Sequence, residues 1–202
     1  MSDTREGFVP NPILEGLIGL CPIIVVSGNF ASGTIVALGI FLSMICLGAV
    51  LPALRGLFAE RLRAPLAFAL AAVLAAAWSL AAEAWSPALA SLTGIFIPLT
   101  LVNCLVLATM RRGVRNEDSY TAWVLPAAAI YFLTVVVISA FREGLGAGRL
   151  TLPLPGPGIT SVIFFESPPL RLLTAPTGGF LLLGLLAALY RSIQRKLGRR
   201  IP

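Results

Sequence analysis

Long apolar segments constrain this chain of 202 residues more than any other feature, because about twenty apolar residues in a helix cross the hydrocarbon core of a membrane. Hydrophobic residues make up 57% of the chain and charged residues 12%, against about 25% charged in soluble domains. Six segments meet or approach this requirement, at residues 12–28, 31–54, 65–85, 87–110, 120–141 and 176–190. The sequence therefore predicts an all-α integral membrane protein with six transmembrane helices in a single domain, residues 1–202.

Basic residues predict the orientation, since Lys and Arg are retained on the cytoplasmic side of a membrane. Twelve of the 15 Lys and Arg residues lie on the side that both termini share, while Arg142, Arg149 and Arg171 lie in the connection before the last segment. Both termini are therefore expected in the cytoplasm. The formal charge of +6 follows from this topology and from contact with anionic lipid headgroups, so no nucleic-acid partner is expected.

The chain contains no histidine, which excludes several kinds of site. It supplies no ligand of its own for a His-bound haem, a Rieske centre or another His-based metal site, and no imidazole for a proton relay. Its 3 cysteines lie in apolar segments and are not expected to form disulfides. A redox centre bound by this chain would use thiolate ligands.

Two of the cysteines lie in contexts that disturb a helix. Cys21 lies between Gly19 and Pro22, and Cys104 directly follows Asn103. Such neighbours weaken a helix that must satisfy its own backbone hydrogen bonds in lipid. At about 1.5 Å per residue, both cysteines lie roughly 10–15 Å from the cytoplasmic ends of their segments. We therefore expect them at one level of the membrane.

The first and fourth segments share a short pattern of Leu-x-Gly, an apolar stretch and proline, at residues 17–22 and 92–98. Each opens a group of three segments, and two such groups must enter the membrane from opposite sides. This is the plan of an inverted repeat, in which broken helices lie near the midplane. The sequence predicts two inverted three-helix repeats, at about residues 12–86 and 87–190, with helices 1 and 4 broken.

A single buried cysteine is usually a small core hydrophobe, and we expect this role for Cys46, which has no distorting neighbour. For Cys21 and Cys104 together, a shared redox site is as plausible as packing. An ordinary iron–sulfur cluster needs four thiolates, so a partner would supply the remainder. Two other functions stay open: one half of a transporter or channel, and a scaffold subunit without redox chemistry.

Four stretches of this sequence resemble one family of membrane subunits. They are residues 11–12 with 19–22, residues 94–104, residues 142–144 with 148, and residues 176–184. The family comprises the paired six-helix subunits of the Rnf and the sodium-pumping NADH:quinone oxidoreductase complexes. The long connection before the last segment and the Gly-Leu-Cys-Pro form at residues 19–22 are most similar to the RnfE type.

This resemblance implies that Cys21 and Cys104 ligate a [2Fe-2S] cluster inside the membrane. The other two ligands would come from an RnfA-like sister subunit of opposite topology, and further Rnf subunits would carry flavin and iron–sulfur centres. The complex would be an ion-translocating ferredoxin:NAD oxidoreductase of the bacterial cytoplasmic membrane that moves Na+ or H+. The resemblance implies no catalytic residue and no independent catalytic activity in this chain.

The remaining polar features have more than one interpretation. Asn103 is expected either to orient the cluster region or to make an interhelical hydrogen bond. Glu83 is expected to reach the membrane interface, with an ion path as the alternative. Glu143 is interpreted as an interfacial ion pair with Arg142. The short apolar run at residues 159–165 is too short to span and predicts an interfacial or re-entrant segment.

Overall fold

A computed structural model describes residues 24, 26–57, 60–99, 103–115, 120–154, 156, 159–163 and 170–198. The α-helices in these ranges are α1 (Phe30–Leu57), α2 (Glu60–Trp85), α3 (Pro87–Thr93), α4 (Cys104–Arg115), α5 (Tyr120–Ala147) and α6 (Pro176–Gly198). The predicted helical architecture is therefore confirmed for these ranges. Most of the predicted first span, including Cys21, lies outside the described residues.

Three helices in the described part of the chain are long and apolar enough to cross a membrane. These stretches run over Phe30–Ala53 in α1, Arg61–Trp85 in α2 and Trp123–Ala147 in α5. They overlap the second, third and fifth spans that the sequence predicts, but the last of them continues past the predicted end at residue 141 and includes Arg142, which the sequence analysis placed in the following connection. The complete set of six spans and the inverted repeat stay predictions.

The predicted fourth span is interrupted in the structure. Ser86 caps the start of α3, where its Oγ accepts a hydrogen bond from the Leu89 N–H at 3.4 Å. The helix ends at Thr93, and Gly94 follows with a φ of 47°, a backbone conformation that glycine adopts without steric cost. A short 3-10 turn follows, and α4 begins only at Cys104. A break in this span was expected from its glycine, proline and asparagine.

The core of the described chain lies between α1 and α5. Buried apolar side chains of α1 such as Ile40 and Met44 share this core with Tyr131 and Ile138 of α5. Small residues bring the two helices close together. A Cβ built on Gly48 of α1 would lie 3.0 Å from a methyl group of Val124 on α5. Close approach at small residues is typical of helices that pack in membranes, where burial from water supplies no driving force.

Two helices present wide apolar faces to their surroundings. On α2, Phe68 is 52% exposed and Leu80 is 68% exposed. On α6, Phe180 and Leu185 are 62% and 66% exposed. Apolar faces of this extent are covered by lipid or by another subunit in a membrane protein.

A β-hairpin folds over one end of the helices. Strand β1 (Arg149–Leu152) pairs antiparallel with β2 (Thr160–Ile163), so that Arg149 lies opposite Ile163. Part of the apolar run at residues 159–165 thus forms a strand, which the sequence analysis did not predict, while its interfacial or re-entrant position stays a prediction.

The hairpin turn is anchored to the junction between α2 and α3. The indole N–H of Trp85 donates to the carbonyl oxygen of Pro153 at 3.3 Å. The hydroxyl of Ser86 donates to the carbonyl oxygen of Gly156 at 2.8 Å. These two bonds fix the long connection at the end of the bundle where α5 finishes and α6 begins.

Candidate functional site

Cys104 is the first residue of α4, and Asn103 holds that helix end in place. The Oδ1 atom of Asn103 accepts a hydrogen bond from the backbone N–H of Leu105 at 2.8 Å. Its backbone carbonyl accepts from the N–H of Leu107 at 3.0 Å. Asparagine is among the preferred residues at this capping position because its side-chain oxygen satisfies an N–H that the helix leaves free.

The same asparagine ties the start of α4 to α5. Its Nδ2 atom donates a hydrogen bond to the hydroxyl of Tyr131 at 3.0 Å, and both side chains are buried. Of the two roles that the sequence left open for Asn103, the interhelical hydrogen bond is confirmed. The position of Cys104 therefore depends on a buried polar contact between two helices.

The thiol of Cys104 lies at the surface of the chain. Cys104 is exposed, although Asn103 before it and Leu105 after it are only 3% and 0% exposed. An exposed cysteine in an apolar membrane segment must be covered by lipid or by another chain. This geometry is suited to a ligand that two subunits share.

The other two cysteines are Cys46 and Cys21. Cys46 lies within α1 and is partly buried, in agreement with its expected role as a small hydrophobic residue. Cys21 lies outside the described residues. In the ranges that the structure describes, no group of three or more Cys, Asp or Glu side chains could hold a metal ion. The exposed thiol of Cys104 is thus compatible with a cluster only if further ligands come from elsewhere.

A second polar site surrounds Arg142, near the end of α5. This arginine is 1% exposed, and its guanidinium group binds the polypeptide that precedes α1. Nη1 donates to the hydroxyl of Ser27 at 2.8 Å and to the carbonyl oxygen of Ile24. Ile24 is three residues beyond Cys21, so Arg142 holds the chain close to the first of the predicted ligands.

The other donors of Arg142 bind the segment that leads into α6. Nε donates to the carbonyl oxygen of Leu173 at 2.7 Å. Nη2 donates to those of Thr174 and Ala175 at 3.3 and 2.9 Å. All five N–H groups of the guanidinium are therefore used, and none of them binds a carboxylate. One arginine joins the ends of three segments that are distant in sequence.

Glu143, the next residue, binds a different set of groups. It is 0% exposed, and its Oε2 accepts a hydrogen bond from the N–H of Phe30, the first residue of α1, at 2.7 Å. The same oxygen accepts from the N–H and the hydroxyl of Thr151 at 3.0 and 2.9 Å. The expectation of an interfacial ion pair between Arg142 and Glu143 is wrong. Both are buried, and they bind helix ends rather than each other.

The burial of these two charged residues was not predicted from the sequence, although their position in the chain indicates it. Arg142 and Glu143 directly follow an apolar segment, and no polar residue separates them from Phe141. Ionisable residues within a membrane segment are costly and mark polar sites. Glu83, by contrast, is exposed two residues before the end of α2, which agrees with its expected position at the membrane interface.

The sequence of this chain is similar to those of a known family of membrane subunits. The sequence profile of a family described as "Rnf-Nqr subunit, membrane protein" matches residues 4–187. The chain is 30% identical over 198 residues to the E subunit of the ion-translocating oxidoreductase complex of Pseudomonas paraeruginosa, covering 94% of this chain and 83% of that protein. A protein of the same name from Rhodobacter capsulatus is 30% identical over 207 residues, covering 95% and 83%.

A Shewanella protein of that name is 29% identical over 202 residues, covering 95% of this chain and 86% of the relative. The matches thus extend over nearly the whole chain, including the positions of Cys21 and Cys104. The chain belongs to the Rnf-Nqr subunit family of membrane proteins, as a member of the RnfE type.

Proposed function

We propose that this chain is an electron-carrying membrane subunit of an ion-translocating oxidoreductase complex. Its relatives are named as the E subunit of such a complex. The observation that carries the proposal furthest is the exposed thiol of Cys104 at the capped N-terminus of α4. In this position the side chain is available to a neighbouring subunit.

In this proposal, Cys104 and Cys21 supply two of the four ligands of a [2Fe-2S] cluster, and an RnfA-like sister subunit supplies the other two. A bound [2Fe-2S] cluster accepts and releases one electron, with a potential set by its ligands and surroundings. Asn103 orients the first turn of α4 through its cap and through Tyr131. Arg142 restrains the chain beyond Cys21 through Ile24 and Ser27.

The wider complex couples electron transfer between NADH and ferredoxin to the movement of Na+ or H+. Other Rnf subunits contribute the flavin and the remaining iron–sulfur centres, and this chain has no separate catalytic activity. It lies in the bacterial cytoplasmic membrane with both termini in the cytoplasm. Support for this orientation comes from the distribution of basic residues and for the complex from the relatives' names.

The direct test uses the complex purified together with its sister subunit. Iron and acid-labile sulfide are measured, and electron paramagnetic resonance is recorded after reduction. The proposal predicts a [2Fe-2S] signal that remains when the pair is separated from the flavin-containing subunits. A pair without iron or sulfide would favour the scaffold, and ion flux through that pair without redox substrates would favour one half of a transporter.

A further inference from the structure

The carboxyl group of Glu143 has one oxygen that the fold leaves without a partner. Its Oε2 accepts three hydrogen bonds, from Phe30 and Thr151. Its Oε1 is buried and finds no hydrogen-bond partner among the described residues. A buried acceptor of this kind is costly unless something binds it. The two oxygens of one carboxyl group thus differ in how far the described residues satisfy them.

The charge on Glu143 is also without a contacting cation in the part of the chain that the structure describes. Three donors on one oxygen, one of them at the N-terminus of α1, are typical of an ionised carboxylate. Arg142 is adjacent in sequence, but its five N–H groups all bind carbonyl oxygens and one hydroxyl. A buried anion without a contacting cation is unfavourable. A positively charged ligand on Oε1 would remove this imbalance.

A second unpartnered oxygen lies on the same face of α5. Ser139 is one turn before Glu143 and 0% exposed, and its Oγ has no hydrogen-bond partner in the described chain. Residues four apart on a helix have Cβ atoms about 5–6 Å from each other. Both side chains contact the first turns of α1. A Cβ built on Gly33 would overlap with Ser139 Oγ, and Phe30 binds Glu143.

We propose that Glu143 Oε1 and Ser139 Oγ bind a small monovalent cation, Na+, at this contact between α1 and α5. This inference rests on the proposed ion-translocating function and assigns one cation subsite to it. Hard cations take oxygen ligands such as carboxylates and hydroxyls, and one negative charge matches one monovalent ion.

The subsite lies at the end of the bundle opposite the predicted cytoplasmic termini. Glu143 is four residues before the end of α5, and its partner Phe30 is the first residue of α1. In the predicted orientation both helix ends face the outside of the cell. The cation would therefore be held near the outer end of the membrane domain, where it enters or leaves.

The test measures binding of 22Na+ to the purified complex by equilibrium dialysis, at constant ionic strength with choline as the replacing cation. Glu143→Gln keeps an oxygen that can accept from Phe30 but removes the charge, and it is expected to bind one Na+ fewer per complex. Ser139→Ala is expected to lower the affinity of that site roughly tenfold or more. Glu83→Gln, at an exposed glutamate of α2, is the matched control and is expected to bind as the parent does.

An unchanged number and affinity of Na+ sites in assembled Glu143→Gln would overturn the proposal. If Glu143→Gln fails to assemble, Ser139→Ala decides, because the smaller alanine side chain fits within the space that Ser139 occupies beside Gly33. Unchanged Na+ affinity in that variant, or a parent complex that binds no Na+, would also overturn it. The cluster signal is recorded on the same samples. Absence of that signal from a parent complex that binds Na+ would contradict the electron-carrier function and leave the cation site standing.

Discussion

The side-chain amide of Asn103 donates a hydrogen bond to the hydroxyl of Tyr131 at 3.0 Å, which joins the start of α4 to the middle of α5. The same side chain accepts from the N–H of Leu105 at 2.8 Å. Asn103 and Tyr131 are 3% and 1% exposed, so water cannot replace either bond without a rearrangement. The direction of the first turn of α4, and with it Cys104, is fixed by this pair.

Two replacements of Asn103 distinguish its capping hydrogen bond from its hydrogen bond to Tyr131. Asn103→Ala loses both the cap and the interhelical bond, and we expect a loss of about 1–3 kcal/mol in the free energy of unfolding. Asn103→Asp keeps an oxygen that caps α4 but loses the amide donor to Tyr131, so a smaller loss is expected. The melting temperatures of the assembled complexes in detergent show which of the two variants is destabilised more. Equal melting temperatures for Asn103→Ala and the parent would contradict the structural role.

Replacement of Arg142 is expected to destabilise the protein more than replacement of an exposed arginine in the connection that follows α5. Arg142→Gln leaves the buried carbonyl oxygens of Ile24 and Leu173 and the partly buried ones of residues 174 and 175 without donors, and we expect a destabilisation of about 2–5 kcal/mol. Arg142→Lys is expected to rescue little, because an ammonium offers three donors in place of five. The amount of assembled complex and its melting temperature report the effect.

Arg149→Gln is the matched control for this prediction. Arg149 is exposed on β1, seven residues beyond Arg142, and its replacement is expected to leave the melting temperature unchanged. If Arg142→Gln and Arg149→Gln assemble and melt alike, the buried hydrogen bonds of Arg142 do not hold the three segments together.

Gly39 is predicted to be intolerant of a larger side chain. A Cβ at this position of α1 would overlap with Nε1 of Trp78 on α2, so Gly39→Ala forces the indole to move. Overpacking of this kind costs about 1–3 kcal/mol. Gly184→Ala on α6 is the control, because a Cβ there meets nothing within 4 Å and alanine is the better helix former. A melting temperature for Gly39→Ala at or above that of Gly184→Ala would contradict the packing.

The broken fourth span was predictable because its causes are local. Gly94, Pro98 and Asn103 disturb a helix through their own backbone or side chain, so the sequence alone indicates where regular structure ends. The capping role of Asn103 follows from the same chemistry, since its side chain binds an N–H two residues on. Long apolar runs such as the one in α1 likewise predict their own helices.

The polar contacts of Arg142 and Glu143 were not predictable, because their partners are remote in sequence. Arg142 binds Ser27, which lies 115 residues away, and Glu143 binds Phe30 at a separation of 113. Such contacts depend on how the helices pack against each other, and the local sequence pattern does not determine that packing. The hairpin was missed because strands of only four residues lack a clear alternating pattern.

The orientation of the chain is predicted from its basic residues. A reporter that is active only in the cytoplasm, fused after Pro202 or before Met1, is expected to be active in both fusions, because twelve of 15 Lys and Arg residues lie on that side. A reporter that is active only outside the cytoplasm serves as the reciprocal control. Activity of that second reporter at both termini would reverse the topology and would move the proposed Na+ site to the cytoplasmic end.

Cysteine replacement separates ligands from packing residues. Serine is close to cysteine in size but is a poor substitute for a soft thiolate, so Cys21→Ser and Cys104→Ser are each expected to abolish or strongly alter the cluster. Cys46→Ala is expected to keep it, since Cys46 is a partly buried residue within regular α1. Oxidation of NADH with an artificial acceptor by the flavin-containing subunits should continue in all three variants.

The most direct test of the electron-carrier function is electron paramagnetic resonance of the reduced, assembled complex that carries Cys104→Ser, with Cys46→Ala in parallel. We expect the intramembrane [2Fe-2S] signal to be lost or strongly shifted in Cys104→Ser, together with reduction of ferredoxin, and to be unchanged in Cys46→Ala. A normal cluster spectrum and normal ferredoxin reduction in assembled Cys104→Ser would contradict this account.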